Sequence, residues 1–329
     1  MSFCGPEAPA DVVPFLENVT RGRNVSPERL LEVSHHYERF GGVSPINGQN
    51  RSLIDALEAE LKAHGPALRV YFGNRNWHPF LVDTLRQMRD DGVRRALMFV
   101  TSAYSSYSGC RQYREDVQRA QQAIGNGAPE IDKLRVFYNH PGFVEPNAAN
   151  LRQAVSGVPA DRRAQARVFF TAHSVPLAMA RCSAYEVQLR EACRLVAEAA
   201  GVKQWALAYQ SRSGPPHVPW LGPDILDEMD RVAGEGAKEV VIMPLGFISD
   251  HMEVLFDLDV EAADRARALG LHFTRVPTVG TAPAFIAMIR ELIVERLQED
   301  APRRALGALG PSHDVCAVSC CLPERSSPL

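Results

Sequence analysis

The chain has 329 residues, 46% hydrophobic and 23% charged, a balance that fits a globular protein of about two domains and excludes a disordered or fibrous one. Its formal net charge of −3 lacks the basic excess of a general nucleic-acid binder. No apolar run reaches the about 18 residues of a membrane-spanning helix, and Met1-Ser-Phe-Cys-Gly-Pro-Glu7 has neither the basic nor the apolar region of a secretory signal; the expectation is a cytoplasmic globular protein with no transmembrane segment.

In chain order, Ser26-Pro27-Glu28 offers an N-cap followed by proline at the first helical position. Helical periodicity over Ser52–His64 and Pro79–Asp91 brackets a strand-length apolar run at Leu68–Phe72. Ala96–Val100 and Leu134–Tyr138 read as strands on either side of a helix at Tyr113–Ile124. Beyond them, strands at Val168–Thr171, Trp205–Tyr209, Val240–Pro244 and Phe273–Val276 alternate with helices at Val187–Ala200, Asp224–Ala233 and Glu261–Leu269. Strands that are continuous apolar runs, each followed by a helix, indicate parallel sheets covered on both faces, so the fold class is α/β, doubly wound. The mostly polar Val158–Gln165 divides the strands three and four, which predicts an N-terminal domain over 1–155, a C-terminal domain over 156–300 and a tail over 301–329 rich in Ala, Gly, Pro, Ser and Cys.

Ligands of doubly wound sheets bind beyond the carboxyl ends of the strands. Three such ends carry unusual residues: Ala172-His173-Ser174-Val-Pro176, Gln210-Ser-Arg212-Ser-Gly214, and Ser249-Asp250-His251-Met-Glu253. Glu253, Asp257 and Glu261 recur every four residues and so share a helical face, at a cost of a few tenths of a kcal/mol per like-charge pair. A solvated acidic face would explain the row, as a satisfied core hydrogen bond would explain His173; their position at strand exits favours a cleft. There, carboxylates bind divalent cations, and an imidazole with an ordinary pKa near 6.5 suits both proton abstraction and metal ligation. There is no GxGxxG after a strand, no GxxxxGK[ST], no GxSxG and no HExxH, so no nucleotide is expected. Seven cysteines, an odd number, argue against a disulfide framework. Cys4, Cys110, Cys182 and Cys193 are scattered, whereas Cys316, Cys320 and Cys321 crowd into the tail.

Together with Phe15-Leu-Glu-Asn-Val-Thr-Arg-Gly-Arg23, Tyr37-Glu-Arg-Phe-Gly-Gly-Val-Ser-Pro-Ile46, Thr101-Ser-Ala-Tyr-Ser-Ser-Tyr107 and Pro219-Trp-Leu-Gly-Pro223, these motifs make the chain resemble the ferrochelatases, more narrowly the actinobacterial coproporphyrin type. The resemblance implies two Rossmann-like domains facing each other across a porphyrin cleft, in the chelatase manner, with the last helix packing back on the first domain. It implies insertion of Fe²⁺ into coproporphyrin III to form coproheme III in haem biosynthesis, with an iron donor and a haem-pathway acceptor as partners. His173 would contact the metal or take a pyrrole proton, Glu253 would lie opposite, and Asp257 and Glu261 would continue the metal or proton path. Tyr37, Ser44, Arg21, Arg23 and Tyr107 would meet substrate, the first four at its propionates. A protoporphyrin IX ferrochelatase, and a non-catalytic haem or Fe–S binding protein on the same fold, remain alternatives at this point.

A subset of the family carries a [2Fe–2S] cluster, which needs four thiolates. Cys316, Cys320 and Cys321 would supply three and Cys110 the fourth, with Cys182 as the fallback. The resemblance also has departures: relatives place an apolar strand before the loop that here is Ser2-Phe3-Cys4-Gly5-Pro6, so the N-terminal sheet is expected to lack its first strand, and Phe3 stands where related enzymes have a tyrosine.

Overall fold

The computed structural model describes residues 1–22 and 25–323. Helices α1 (Val12–Val19), α2 (Pro27–Glu38), α3 (Ile46–His64) and α4 (Leu81–Asp90) precede β1 (Arg95–Met98). A π-helical turn at Tyr107–Arg111 and α5 (Gln112–Ile124) then lead to β2 (Glu130–Lys133), which pairs in parallel with β1 from Arg95↔Glu130 to Met98↔Lys133. Next come α6 (Pro141–Gly157), α7 (Ala160–Arg163), β3 (Arg167–His173), α8 (Leu177–Arg181), α9 (Tyr185–Ala200), β4 (Trp205–Gln210), α10 (Ile225–Gly234) and β5 (Glu239–Met243). The last elements are α11 (Met252–Val254), a second π-helix at Leu255–Ala262, α12 (Ala263–Ala268), β6 (His272–Arg275) and α13 (Pro283–Leu297). Ser26 caps α2 as its sequence indicates, its side chain accepting from the Arg29 N–H.

The second sheet is parallel with strand order β4-β3-β5-β6. Its central strands show why their sequences are continuous apolar runs. In β3, Val168 and Phe170 enter the core built with α6, α9 and α13, whereas Phe169 enters a second core with Ile225, Met229 and Leu258 on the other face. Both faces are covered, so no polar alternation survives, and each such side chain contributes about 1.5–3 kcal/mol of burial. From β3 the chain adds β4 on one side, then crosses back to add β5 on the other. The topological switch therefore lies between β3 and β5, where the crevice of such a sheet opens.

Two expected strands are not strands. Leu134–Tyr138 continues β2 by one hydrogen bond, Leu134 N–H to the Met98 carbonyl at 3.0 Å, and then leaves the sheet. Its apolar residues are buried instead by the aromatic group of Phe99, Phe137, Phe143 and Phe285. Leu68–Phe72 has no ladder partner among the described residues. It borders a cavity of about 610 Å³ whose apolar lining includes Leu53, Leu57, Leu61, Val70, Leu85 and Met98. At one end of that cavity the Met1 ammonium donates to the Phe99 carbonyl at 2.7 Å, and burial lowers its pKa to about 5. Helix α6 was unexpected because Pro141 and Pro146 fall within it. Pro141 sits in its first turn, where a missing N–H costs nothing.

Helix α13 packs on α3 and α6, pinned by Arg290 Nε to Glu60 Oε1 at 3.0 Å. Beneath it Arg135 makes a two-pronged pair with Glu295, both contacts 2.7 Å, and donates a third hydrogen bond to the Arg304 carbonyl at 2.9 Å. Both side chains are almost wholly buried. Arg135→Ala is expected to destabilise the protein by about 3–5 kcal/mol by stranding the Glu295 charge; urea unfolding measures this, and a loss below 1 kcal/mol would show that Glu295 finds another partner.

The tail has no helix or strand through residue 323, yet it is tied down. The Asn139 amide donates to the carbonyls of Leu306 and Gly310 at 3.2 and 2.8 Å, Arg303 pairs with Asp314 at 3.0 Å, and Arg111 donates to the carbonyls of Val318 and Cys320. No described helix is long and apolar enough to cross a membrane.

Candidate active site

The exits of β3, β4 and β5 meet at the switch. His173 is the last residue of β3, and its Nε2 lies 3.5 Å from Glu253 Oε1 on α11, beyond β5. Its Nδ1 contacts the Ser174 carbonyl, and its own carbonyl accepts from the Tyr185 hydroxyl at 3.0 Å, so ring and backbone are both held. The close passage of the β5 exit depends on Gly246: a Cβ there would come within 2.5 Å of the Ala172 Cβ.

Electrostatics separate the members of this group. Burial opposes a charged imidazole at His173, but the Glu253 carboxylate and the Ser174 carbonyl outweigh it and raise the pKa to about 9. Burial likewise opposes the Glu253 charge, and His173 and His251 outweigh it, lowering that pKa to about 2. The two side chains keep 30% and 51% of their surface exposed, so they form a partly screened ion pair that is open to a ligand. Asp257 behaves in the opposite way: burial first, then the charges of Glu253 and Glu261, raise it to about 7 against the hydrogen bonds from Ser211 and Gln210. Glu261 is also raised, by burial and by Asp224, with Arg29 opposing. One end of the row is therefore ionised and the next carboxyl holds its proton near neutrality.

Glu253 stands on α11, and Asp257 and Glu261 on the following π-helix, not on an α-helix as the spacing indicated. The i→i+5 bonding of a π-helix widens the turn, so residues four apart stay nearly in line. Helix α2 approaches this row: the His36 ring stacks on Phe256 with centroids 3.7 Å apart. Tyr37, on the same helix, packs edge-on to Phe15, and burial followed by the Glu253 charge raises its pKa.

The other candidate substrate residues are less uniform. Ser44 is buried under Gly5, its N–H donating to the Pro6 carbonyl at 2.9 Å. Arg21 is exposed just after α1, and Arg23 lies outside the described residues. Tyr107 opens the first π-helical turn and donates to Glu115 at 3.0 Å.

Three further residues complete the site. Gln210 ends β4 and donates from Nε2 to the Glu253 carbonyl at 2.9 Å and to Asp257 Oδ2 at 3.3 Å. Ser211 bonds to Asp257 from a left-handed backbone, φ 62°, a conformation uncommon for a non-glycine residue. His251 faces Glu253 across 3.8 Å, and burial lowers its pKa. The polar loop and the Ser-Asp-His-x-Glu motif pointed to these positions without assigning them roles.

A second cluster lies at the tail. Cys110, in the Tyr107–Arg111 turn, faces the thiols of Cys316 and Cys321, and their interaction lowers its pKa while raising theirs. Cys320 Sγ is 3.5 Å from Cys321 Sγ. Four sulfurs thus converge, and Cys182, at the end of α8, takes no part in the described hydrogen bonds of this group. A donor set of four thiols from a buried turn and a tethered loop fits a diiron cluster.

Paired parallel-sheet halves with an imidazole–carboxylate pair at the switch define a chelatase-like fold. Its solved counterparts include SirB from Bacillus subtilis with Fe3+, at a TM-score of 0.52 and 15% identity over 78% of this chain and 93% of that one. The ferrochelatase family model matches residues 1–297, and the chain belongs to that family. Among its relatives, "Ferrochelatase" of Rhodopirellula baltica is 54% identical, covering 99% of this chain and 93% of the relative. "Coproporphyrin III ferrochelatase" of Nocardia farcinica is 52% identical with 99% and 96% covered, and that of Streptomyces coelicolor 51% identical with 99% and 92% covered.

Proposed function

We propose that this protein inserts Fe²⁺ into coproporphyrin III, releasing coproheme III and two protons, in the cytoplasm. The observation that carries the mechanism is the His173–Glu253 contact of 3.5 Å between two strand exits. The porphyrin lies in the crevice with its centre at this pair. His173, once neutral, takes a pyrrole N–H proton at Nε2, and Glu253 stabilises the resulting imidazolium. Asp257 and Glu261 replace waters of the incoming iron and pass it, or a proton, along the row. Gln210 and Ser211 keep Asp257 aimed at Glu253. Arg21, Arg23, Tyr37, Ser44 and Tyr107 serve the periphery, and the binding energy gathered there supports distortion of the macrocycle. The two sheets fall on either side of the expected boundary near residue 155, which supports N- and C-terminal Rossmann-like domains with the tail from 301 as a third unit.

Relatives named for coproporphyrin III favour that substrate over protoporphyrin IX. Anaerobic incubation with Fe²⁺ and each porphyrin tests the choice: the Soret and Q bands should change with coproporphyrin III, and faster turnover of protoporphyrin IX would reject it. An iron donor upstream and a haem-pathway enzyme accepting the product are the partners this reaction requires.

Cys110, Cys316, Cys320 and Cys321 are the residues that would hold a [2Fe–2S] cluster, which when bound supplies one-electron exchange. Cys110→Ser is expected to lose the visible charge-transfer absorption and the about two irons per chain, while Cys182→Ser keeps both; the reverse pattern would move the fourth ligand to Cys182.

A further inference from the structure

The tail holds one donor more than the three that a cluster with Cys110 would draw from it. The ligating atoms of His313, Cys316 and Cys320 all lie within 4.8 Å of one another. Cys321 Sγ is 3.5 Å from Cys320 Sγ but stands outside the 4.8 Å group, its thiol turned to Cys110, so a rotation of its side chain is what brings the third sulfur in. His313 is exposed and the two cysteines are half-buried, so the imidazole closes the group from the solvent side.

The loop carrying these donors is held by hydrogen bonds and an ion pair of its own. Arg303 donates to the Ser312 carbonyl at 2.7 Å and pairs with Asp314 at 3.0 Å. The Cys320 N–H donates to the Ala317 carbonyl at 3.0 Å, and Arg111 holds the Cys320 carbonyl at 3.2 Å. The spacing His313-x2-Cys316-x3-Cys320 is short, like that of the ligand pairs in structural zinc sites. Three thiolates and one imidazole form a borderline-soft tetrahedral set, suited to Zn²⁺.

We propose that His313, Cys316, Cys320 and Cys321 form a mononuclear site for Zn²⁺, alternative to the four-thiolate cluster. Three sulfurs are common to both loadings, so the two exclude each other. Cys110 belongs to the cluster alone and His313 to the mononuclear site alone. Binding of the ion releases the three thiol protons to solvent and leaves the imidazole neutral, with no change of oxidation state. Only the mutual exclusion rests on the cluster reading; the mononuclear site itself does not.

The test is an anaerobic titration of the full-length, metal-free protein with Co²⁺. One Co²⁺ per chain is expected to produce tetrahedral d–d bands and sulfur-to-cobalt charge transfer, displaced by one equivalent of Zn²⁺. Cobalt on the carboxylate row would give no sulfur charge transfer and is thereby distinguished. Cys110→Ser is expected to keep this spectrum and to refuse a diiron cluster. His313→Ala is expected to bind Co²⁺ about 100-fold more weakly or worse, since even an outer-sphere partner costs up to about 100-fold, and still to accept the diiron cluster. Absence of the tetrahedral spectrum, or identical isotherms for wild type and His313→Ala, would overturn the site. Loss of cluster uptake in His313→Ala would overturn the division of ligands. A wild type that takes Co²⁺ as described but never a diiron cluster would refute the cluster and support the mononuclear site.

Discussion

His173→Ala is expected to reduce the rate of iron insertion by about 10²- to 10⁴-fold, the range that a positioned general base contributes, and so to abolish it in an ordinary assay. Porphyrin binding should be largely retained, because the described groups assigned to the periphery lie after α1 (Arg21), on α2 (Tyr37), before α3 (Ser44) and in the turn at Tyr107, and not on β3. Fluorescence titration with coproporphyrin III measures binding, and the Soret change on adding Fe²⁺ measures insertion. The structure should persist, since the imidazole is 30% exposed and the buried side chains of β3 are untouched. Turnover at the wild-type rate would remove His173 from the chemistry.

Glu253→Gln should move the pH profile as well as lower the rate. Burial alone lowers the pKa of His173, and it is chiefly Glu253 that lifts it to about 9. A base must be neutral to accept a proton, so in the free enzyme kcat/KM should rise with pH towards a midpoint of about 9. Without the carboxylate charge the largest lifting cause is gone, only the Ser174 carbonyl and Asp257 are left against desolvation, and the midpoint should fall towards the ordinary value of about 6.5. The variant would then carry the competent form of His173 at lower pH yet bind iron poorly, having lost the ionised end of the row. A rate–pH curve with the same acid limb as wild type would show that His173 does not set it.

Much of the sheet that positions this pair is legible in the amino-acid order. Val168–Thr171 and Val240–Pro244 are unbroken apolar runs because β3 and β5 are covered on both faces. His173 and Glu253 are legible as candidates because each follows such a run, where a doubly wound sheet opens. The same signal misleads at Leu134–Tyr138, whose apolar residues fill an aromatic core without a ladder; a mostly apolar stretch states burial, not strand pairing. Leu68–Phe72 fails for a related reason, since a strand needs a neighbour and the pattern of one segment cannot supply it. The convergence of Cys110 on the tail, 206 positions before Cys316 by subtraction of their numbers, and the roles of Gln210, Ser211 and His251, depend on tertiary hydrogen bonds that leave no periodic trace. The π-helix under Asp257 and Glu261 is hidden similarly, because a four-residue spacing looks like an ordinary α-helical face.

The turn at Tyr107–Arg111 carries residues of two centres at once. Its first residue is a phenol proposed to meet the substrate and its fourth the sulfur proposed for the cluster, while its fifth, Arg111, grips the tail at Val318 and Cys320 and returns through Glu115 to the Tyr107 hydroxyl. Fewer than two helical turns separate Tyr107 from Cys110, with no hinge between them to take up slack. If both proposed assignments hold, a change of load at the tail would act like a hand on a short lever, and a chromophore in the crevice would register it as a change in its own seating.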